Sequence, residues 1–391
     1  MKNCILTPTF SGHFQFIKKY LKSFNRFVSD KENCIIYFII NKSENNELSK
    51  IISDFSNLDI KILFFEDILK KFNIEISPEE LLQKYGKYSF QSLKKFYGML
   101  YLDKYQHFLV MDTETMWVNP TNMSFLFSNF FSNPYIFYSN VNKRPSNSIN
   151  NIRASENINY VLKSHCNKWF VEQFVRLWDV NILKDLFANY GSCLEIVDKI
   201  YNKELNSSLK MGLFESVLYD QYIYENKQKY GYNCIDLDKK LEENLPKSIL
   251  EIYKKKYFDT FKGNCGITEF FILFLNRKNY QGFLNIFKNI PLKILRVDDP
   301  NGLNCAMEQK FINDLKPNIL TCSQDHCFGL NKNNYILRFG LIKPFKKLKK
   351  HFSIFVSPLI YIIKWCTSII LTVKYSIKCL LKIFKYFIQR L

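Results

Sequence analysis

The residues best placed to do chemistry are the two carboxylates of Asp112-Thr113-Glu114. They follow His107-Phe108-Leu109-Val110-Met111, whose apolar run is long enough only for a buried strand. Met116-Trp117-Val118 resumes the apolar pattern and Asn119-Pro120 ends it. Carboxylates one residue apart at the C-terminal end of a buried strand are costly unless something compensates them. In an open α/β sheet that end of a strand is also where ligands bind. A divalent cation bridging to a phosphate would compensate them, since hard oxygen ligands suit Mg²⁺ or Mn²⁺. A strand that simply ends in a solvated acidic turn fits the same residues, and both readings stand at this point.

Several elements must position this pair. Ser89 to Tyr105 sets Leu93, Phe96, Tyr97, Leu100 and Tyr101 at helical spacing and turns Lys94, Lys95 and Asp103 elsewhere, which predicts an amphipathic helix leading into the strand. Upstream, Cys4–Leu6 is a first strand with Thr7-Pro8-Thr9 in the loop after it. Phe14–Phe27 is a helix burying Phe16, Ile17, Tyr20, Leu21 and Phe24. Asn33–Ile40 is a strand, Glu47–Phe55 a helix and Ile60–Phe65 a third strand. This β-α-β-α-β order predicts a parallel sheet with right-handed crossovers. Ser77-Pro78-Glu79-Glu80 opens a further helix, with serine as cap and proline in the first turn. Downstream, Pro134–Tyr138 is a strand. Asn140–Asn159, rich in Asn, Ser and Lys, reads as a mobile loop, and Asn157–Trp178 has helical spacing. His165, among those helical positions, reads as structural or solvated ahead of metal binding.

Composition narrows the class. The 391 residues carry a formal charge of +19, yet Asp325 is the last acid and thirteen Lys and Arg follow it, from Lys332 to Arg390. The surplus therefore sits mostly in a basic tail, which argues against nucleic acid as the partner. Eleven scattered cysteines contain no Cys-x-x-Cys and read as reduced thiols rather than a zinc or redox centre. Met1-Lys2-Asn3 leads straight into a strand, with no secretory signal ahead of it.

Taken together, helix, strand, Asp-x-Glu, apolar residues and Asn-Pro resemble the metal-binding region of GT-A glycosyltransferases. The string Phe90-Gln91-Ser92-Leu93-Lys94, then Leu109-Val110-Met111-Asp112-Thr113-Glu114-Thr115, is similar to one bacterial family, with Glu114 where Asp is usual. The resemblance implies a GT-A, Rossmann-like fold: a mostly parallel sheet flanked by helices. It implies Mn²⁺ or Mg²⁺ on Asp112 and Glu114, and a nucleotide-sugar donor contacted by Thr7, Pro8, Thr9, Gln91 and Lys94. An ordinary βα loop with a helix cap at Ser11 is the plain alternative for the threonines. The family also carries Glu, then aromatics at +4 and +7, matched by Glu215, Tyr219 and Tyr222. On a helix these share one face, which would turn the two tyrosines into an acceptor cleft. Glu215 is the first choice of general base for an inverting enzyme and Asp220 the second. The plain alternative makes the tyrosines core and Glu215 an acid favoured by a helix N-terminus. His326-x-x-Gly329-x-x-Lys332 fits a family pattern in which the histidine completes the metal shell and the lysine neutralises the departing diphosphate.

The tail is a separate object. In Phe352–Leu391, Lys364, Lys374, Lys378, Lys382 and Lys385 fall on one narrow helical arc, with apolar residues covering the rest. That pattern suits a helix lying in an anionic bilayer surface ahead of one that spans the membrane or covers the domain. The expected organisation is a nucleotide-sugar-binding half (1–138), an acceptor half of the same catalytic domain (139–335) and a basic amphipathic membrane-associating tail (336–391). The expected protein is a metal-dependent glycosyltransferase acting on a cell-envelope glycan of lipooligosaccharide or capsule type, cytoplasmic and peripherally bound to the inner membrane. A catalytically inactive GT-A-like binding protein and a membrane-recruitment protein are the alternatives.

Overall fold

The computed structural model describes residues 2–117, 119–140, 149–170, 176–207 and 210–244, together with 247, Arg296–Val297 and Thr321–Ser323. The chain divides into two units, Met1–Leu330 and Asn331–Leu391, and every described residue belongs to the first. Lys332, the tail and its lysines therefore lie outside the described residues, as does His326.

Strands β1 (Asn3–Pro8), β2 (Cys34–Ile40), β3 (Ile60–Phe64) and β4 (His107–Val110) are joined by helices α1 (Phe14–Phe27), α2 (Asn45–Ile52), α3 (Phe65–Lys71) and α4 (Pro78–Tyr101). Then come β5 (Thr115–Trp117), α5 (Met123–Ser132), β6 (Tyr135–Asn140), α6 (Ile149–Leu162), β7 (Lys168–Trp169) and β8 (Leu177–Asp179). The central sheet has the order β3-β2-β1-β4-β8. Its first four strands are parallel, and β8 runs antiparallel along β4. All seven residues of β2 are buried, as a parallel strand covered on both faces requires. The expected mixed α/β architecture with a mostly parallel sheet is therefore the one observed.

The connections from β1 run outward to β2 and β3, and the chain then returns to lay β4 on the other side of β1. The direction of winding reverses there, so a crevice opens between the C-terminal ends of β1 and β4.

Helix α4 carries one edge of that crevice. Ser77 caps it, accepting from the Glu80 amide, and Glu80 returns a bond to the Ser77 amide. Gly86, at φ 78°, kinks the helix in a conformation open to glycine. From Ser92 to Met99 every residue is buried. Gly98 is one reason, because a Cβ there would stand 2.3 Å from the Ile39 side chain, so the helix lies directly on the sheet. On the far side Phe96 packs on Trp178 and Phe187. Burial on both sides overturns the expectation that Lys94 and Lys95 face away from the core: they are 3% and 4% exposed.

Two further expectations fail. The segment read as a loop to Asn159 is helical from Ile149, in α6. The helix expected over Asn157–Trp178 stops at Leu162 and gives way to β7 and β8. Lys163 adopts φ 52°, in the left-handed region, and ends the helix. The Asn159 side chain then holds the turn, accepting from Ser164 and the Cys166 amide and donating to the Cys166 carbonyl.

The rest of the described chain is α7 (Val180–Tyr190), α8 (Cys193–Lys203), α9 (Glu215–Glu225), α10 (Lys227–Tyr230), β9 (Asn233–Asp236), α11 (Leu237–Asn244), β10 (Arg296–Val297) and β11 (Thr321–Ser323). Strand β11 pairs antiparallel with β5, setting Ser323 opposite Thr115. Among the described residues no helix is long and apolar enough to cross a membrane.

Candidate active site

The loops leaving β1 and β4 meet at the mouth of the crevice. The Thr9 hydroxyl lies 3.3 Å from that of Thr113, at the centre of Asp112-Thr113-Glu114. Those three residues form a tight turn, closed by the Thr115 amide donating to the Asp112 carbonyl at 3.0 Å. The main chain of β4 is pinned on both sides up to this turn: Met111 donates to Leu6 of β1, and Val110 to the carbonyl of Arg176 beside β8. Of Thr7, at the end of β1, and Thr9, in the loop after it, Thr9 reaches the turn. Thr7 is fully buried and faces the Tyr20 hydroxyl at 3.4 Å, so it belongs to the packing under α1; Pro8 is buried as well. Ser11 does not cap through its side chain; its amide donates to Glu44 instead.

Asp112 is compensated by protein cations. Arg176 holds Oδ2 at 2.6 Å, and Lys95 approaches Oδ1 at 3.4 Å. Lys95 also pairs with Glu215 Oε1 at 2.5 Å, so one ammonium links the carboxylate at the end of β4 to the first residue of α9. The other oxygen of Glu215 lies 2.9 Å from the Ser92 hydroxyl. Burial by itself pushes the Glu215 carboxyl up. The charge and hydrogen bond of Lys95, with the charge of Arg176, outweigh burial and hold the group below the usual carboxylate range. Glu114 stands 3.6 Å from His13 Nδ1.

The placement of Glu215 is built locally. The Glu204 carboxylate accepts from the Met211 and Gly212 amides, each at 2.9 Å, and from Asn157. Gly212, at φ 66°, then turns the chain against Ser89, whose hydroxyl accepts from the Leu213 amide. This fastens the chain ahead of α9 to α4.

Lys94 points the other way, toward the β1 loop. Its ammonium donates to the Thr9 carbonyl at 3.3 Å and sits against the rings of Phe90 and Phe65. Burial lowers its pKa to about 8, with only the more distant charges of Glu44, Glu66 and Glu79 opposing. Gln91, half-buried, lies between Phe90 and Ser92 on the same helix.

The expected acceptor face does not form. Tyr219 is 1% exposed, stacks on Trp178 and accepts from the Asp179 amide. Tyr222 is 2% exposed and donates to Asp185, as does Tyr230. Hydrogen bonds from Lys229 and the two phenols hold Asp185 down at about 2. These tyrosines clip α9 to α7 and α10 and offer no surface to a sugar. Asp220 is buried near Tyr232 and Cys234, where its charge adds to the effect of burial in raising both groups. That location corrects its candidacy as a base at the Asp112 site.

Lys95, Arg176, Ser92 and His13 are the site residues the sequence reasoning missed. One signal for Lys95 was present: two adjacent lysines in a stretch, Ser89 to Leu102, that contains no acid must find partners elsewhere. Arg176 left none, because it precedes a strand of three residues.

Carboxylate oxygens from Asp112 and Glu114 are hard donors that fit Mg²⁺ or Mn²⁺. Among the described residues no group of three His, Cys, Asp or Glu converges as a metal site. The two fixed cations, Lys95 and Arg176, stand at Asp112, and Lys95 is shared with Glu215.

No protein-family model and no curated protein matches the sequence. Solved structures show partial similarity to the chain. Mouse xyloside xylosyltransferase 1 is 11% identical, covering 60% of this chain and 86% of that one, with a TM-score of 0.35. Core-mannan synthase A from Aspergillus fumigatus, in an Mn/GDP form, is 10% identical over 57% and 69%, with a TM-score of 0.35. The galactosyltransferase LgtC, in complex with donor and acceptor sugar analogues, is 11% identical over 59% and 72%, with a TM-score of 0.34.

Proposed function

We propose that the chain is a glycosyltransferase that moves a sugar from a nucleotide-sugar donor to a glycan acceptor. The observation that carries this reading is the meeting of the β1 loop with Asp112-Thr113-Glu114 where the sheet reverses its winding, joined to Glu215 through Lys95. A donor diphosphate at this mouth would lie against the cations of Lys95 and Arg176 and the hydroxyl of Thr9. Lys94, which fixes the Thr9 carbonyl, sets the shape of that loop.

A divalent cation, Mn²⁺ or Mg²⁺, is part of the proposal, with Asp112 and Glu114 as ligands. When bound it supplies neutralising charge for the departing diphosphate. His326 is the proposed third ligand. Supporting it is the pairing of Ser323, three residues upstream, with Thr115, which directly follows Glu114. Lys332 is proposed to assist at the diphosphate.

Glu215 is a weak proton acceptor as it stands, since Lys95 holds it ionised and both of its oxygens are engaged. Its role in this proposal is to orient Lys95 toward the donor. The pairing of Asp112 with two protein cations favours a second reading, in which Lys95 and Arg176 neutralise the diphosphate without a metal. A cell-envelope acceptor, and a lysine-striped tail holding the enzyme to the cytoplasmic face of the inner membrane, rest on the sequence pattern.

The test is calorimetric titration of the full chain with UDP-, GDP- and CMP-sugars, with Mn²⁺, with Mg²⁺ and with EDTA. One donor should bind with metal and lose at least tenfold in affinity in Asp112→Ala. Binding that persists in EDTA selects the second reading, and no binding of any donor overturns both.

A further inference from the structure

With Tyr219 and Tyr222 assigned to the core, the surface beside Glu215 contains a different pair of rings. Tyr88 lies on α4 two residues past the Gly86 kink and is 54% exposed. Its ring stacks on Phe214, with centroids 5.2 Å apart and planes at 24°. Phe214 directly precedes Glu215 and is half-buried. Tyr88 sits one turn before Ser92, the residue whose hydroxyl lies at Glu215 Oε2 and whose partners also include the Tyr88 carbonyl. Next to Tyr88, exposed Lys87 extends its ammonium over the ring of Phe10, 37% exposed in the loop after β1. Tyr88 and Phe214 thus form an exposed aromatic pair at the start of α9, and Lys87 reaches the loop after β1.

We infer that the Tyr88–Phe214 stack is the subsite for the acceptor, taking one pyranose ring of a glycan on the exposed face of Tyr88. The inference rests on the glycosyltransferase reading for the word acceptor; the ring-on-ring chemistry stands without it. A pyranose presents one face of C–H hydrogens that carry slight positive charge, and an aromatic face is negative. Its hydroxyls project around the edge, away from the stacked face. A tyrosine backed by a second ring is a rigid platform that loses little conformational freedom on binding. Among the described residues, the exposed aromatics elsewhere lack this setting. Phe125 stands in the first turn of α5, and Tyr160 lies under the Lys203 ammonium. The aromatic pair is built from Tyr88 on α4 and Phe214 ahead of α9, neither of which the proposed function places against the donor diphosphate.

The experiment uses the full chain and its Tyr88→Ser and Tyr88→Trp variants. Saturation-transfer NMR is run against methyl α- and β-glycosides of glucose, galactose, mannose and N-acetylglucosamine, in parallel with the nucleotide-sugar titration. At least one glycoside should receive saturation on its C–H face from wild type. Tyr88→Trp should keep the signal and Tyr88→Ser should lose it at least fivefold, with donor affinity unchanged within twofold in both. Silence of every glycoside with wild type, or an undiminished signal in Tyr88→Ser, overturns the inference. So does a tenfold loss of donor affinity in Tyr88→Ser, which would assign the ring to the nucleotide. Glycoside binding that depends on Tyr88 in a chain that binds no donor would retain the platform and remove the glycosyltransferase.

Discussion

The two flanks of α4 meet the site in opposite electrostatic states. Toward α9, Lys95 lies between the carboxylates of Glu215 and Asp112, and Arg176 adds a second cation. Toward the β1 loop, Lys94 is equally buried but has a backbone carbonyl and two aromatic faces in place of a carboxylate. The neighbours differ by one residue and 100° of helix. Burial alone does not decide the charge of a lysine; what it is buried against does. The flank toward α9 is a network of paired charges, whereas the flank toward β1 is a single buried cation held on a loop carbonyl.

The largest effect expected from this contrast is in Lys95→Met, which leaves the buried Glu215 without its cation. Removing one partner of a buried pair costs about 3–5 kcal/mol, read as a fall in the urea midpoint at constant slope. The pH dependence should change with it. In wild type the folded Glu215 pKa lies below its ordinary 4.5, so its contribution is complete above that pH and is lost as the pH falls through the folded value. In Lys95→Met the depression disappears. A loss under about 0.5 kcal/mol, the size expected at an exposed surface, would mean water screens the pair and the two flanks are alike.

Lys94→Met should act in the opposite direction. The folded pKa of about 8 against 10.5 means the unfolded chain binds more protons between those values, so stability rises with pH across that window. Below it the penalty is about 3 kcal/mol, partly offset by about 1 kcal/mol from the hydrogen bond to Thr9. The variant should therefore be more stable than wild type at pH 7, with the difference closing toward pH 10.5. Equal stability of the two at every pH would contradict the contrast. The smallest effect belongs to Arg176→Gln. Its pair with Asp112 is partly exposed, so a loss of about 1 kcal/mol or less is expected; a loss near that of Lys95→Met would make the arginine an equal member of the network.

The sequence was most readable where one physical signal dominated. The fully apolar β2 and the periodicity of α1 gave the β-α-β-α-β order, and the cap at Ser77 gave the start of α4; that β4 lies beside β1, and with it the crevice, emerged only from the sheet order. Legibility failed where the outcome depended on long-range packing. Lys94 and Lys95 looked solvated because an amphipathic pattern describes one face, and α4 is covered on both. The spacing of Glu215, Tyr219 and Tyr222 was right for a common helical side, but such a side spans enough arc to divide between a cleft edge and a core. Trp178 and Asp185 capture the tyrosines, and Lys95 captures the glutamate. Arg176, Leu177 and Trp178 read as helix because three residues of strand are too few to show a period of two.

The pairing of β11 with β5 has a consequence for how the molecule is made. About 200 residues separate Thr115–Trp117 from Thr321–Ser323, so the strand after Glu114 waits for a partner translated much later. At ordinary synthesis rates of roughly 5–20 residues per second, that interval is about 10–40 s, during which β1 to β4 can already be assembled. The carboxylate turn is therefore held first by Thr9, Lys95 and Arg176, and closing the distant strand onto it is a late, entropically costly step. A ribosome-bound chain ending near residue 250 should already protect the amides of β1, β2 and β4 from exchange, together with those of Thr115 and Trp117, which donate to Asp112 and Ser23 and need no distant strand.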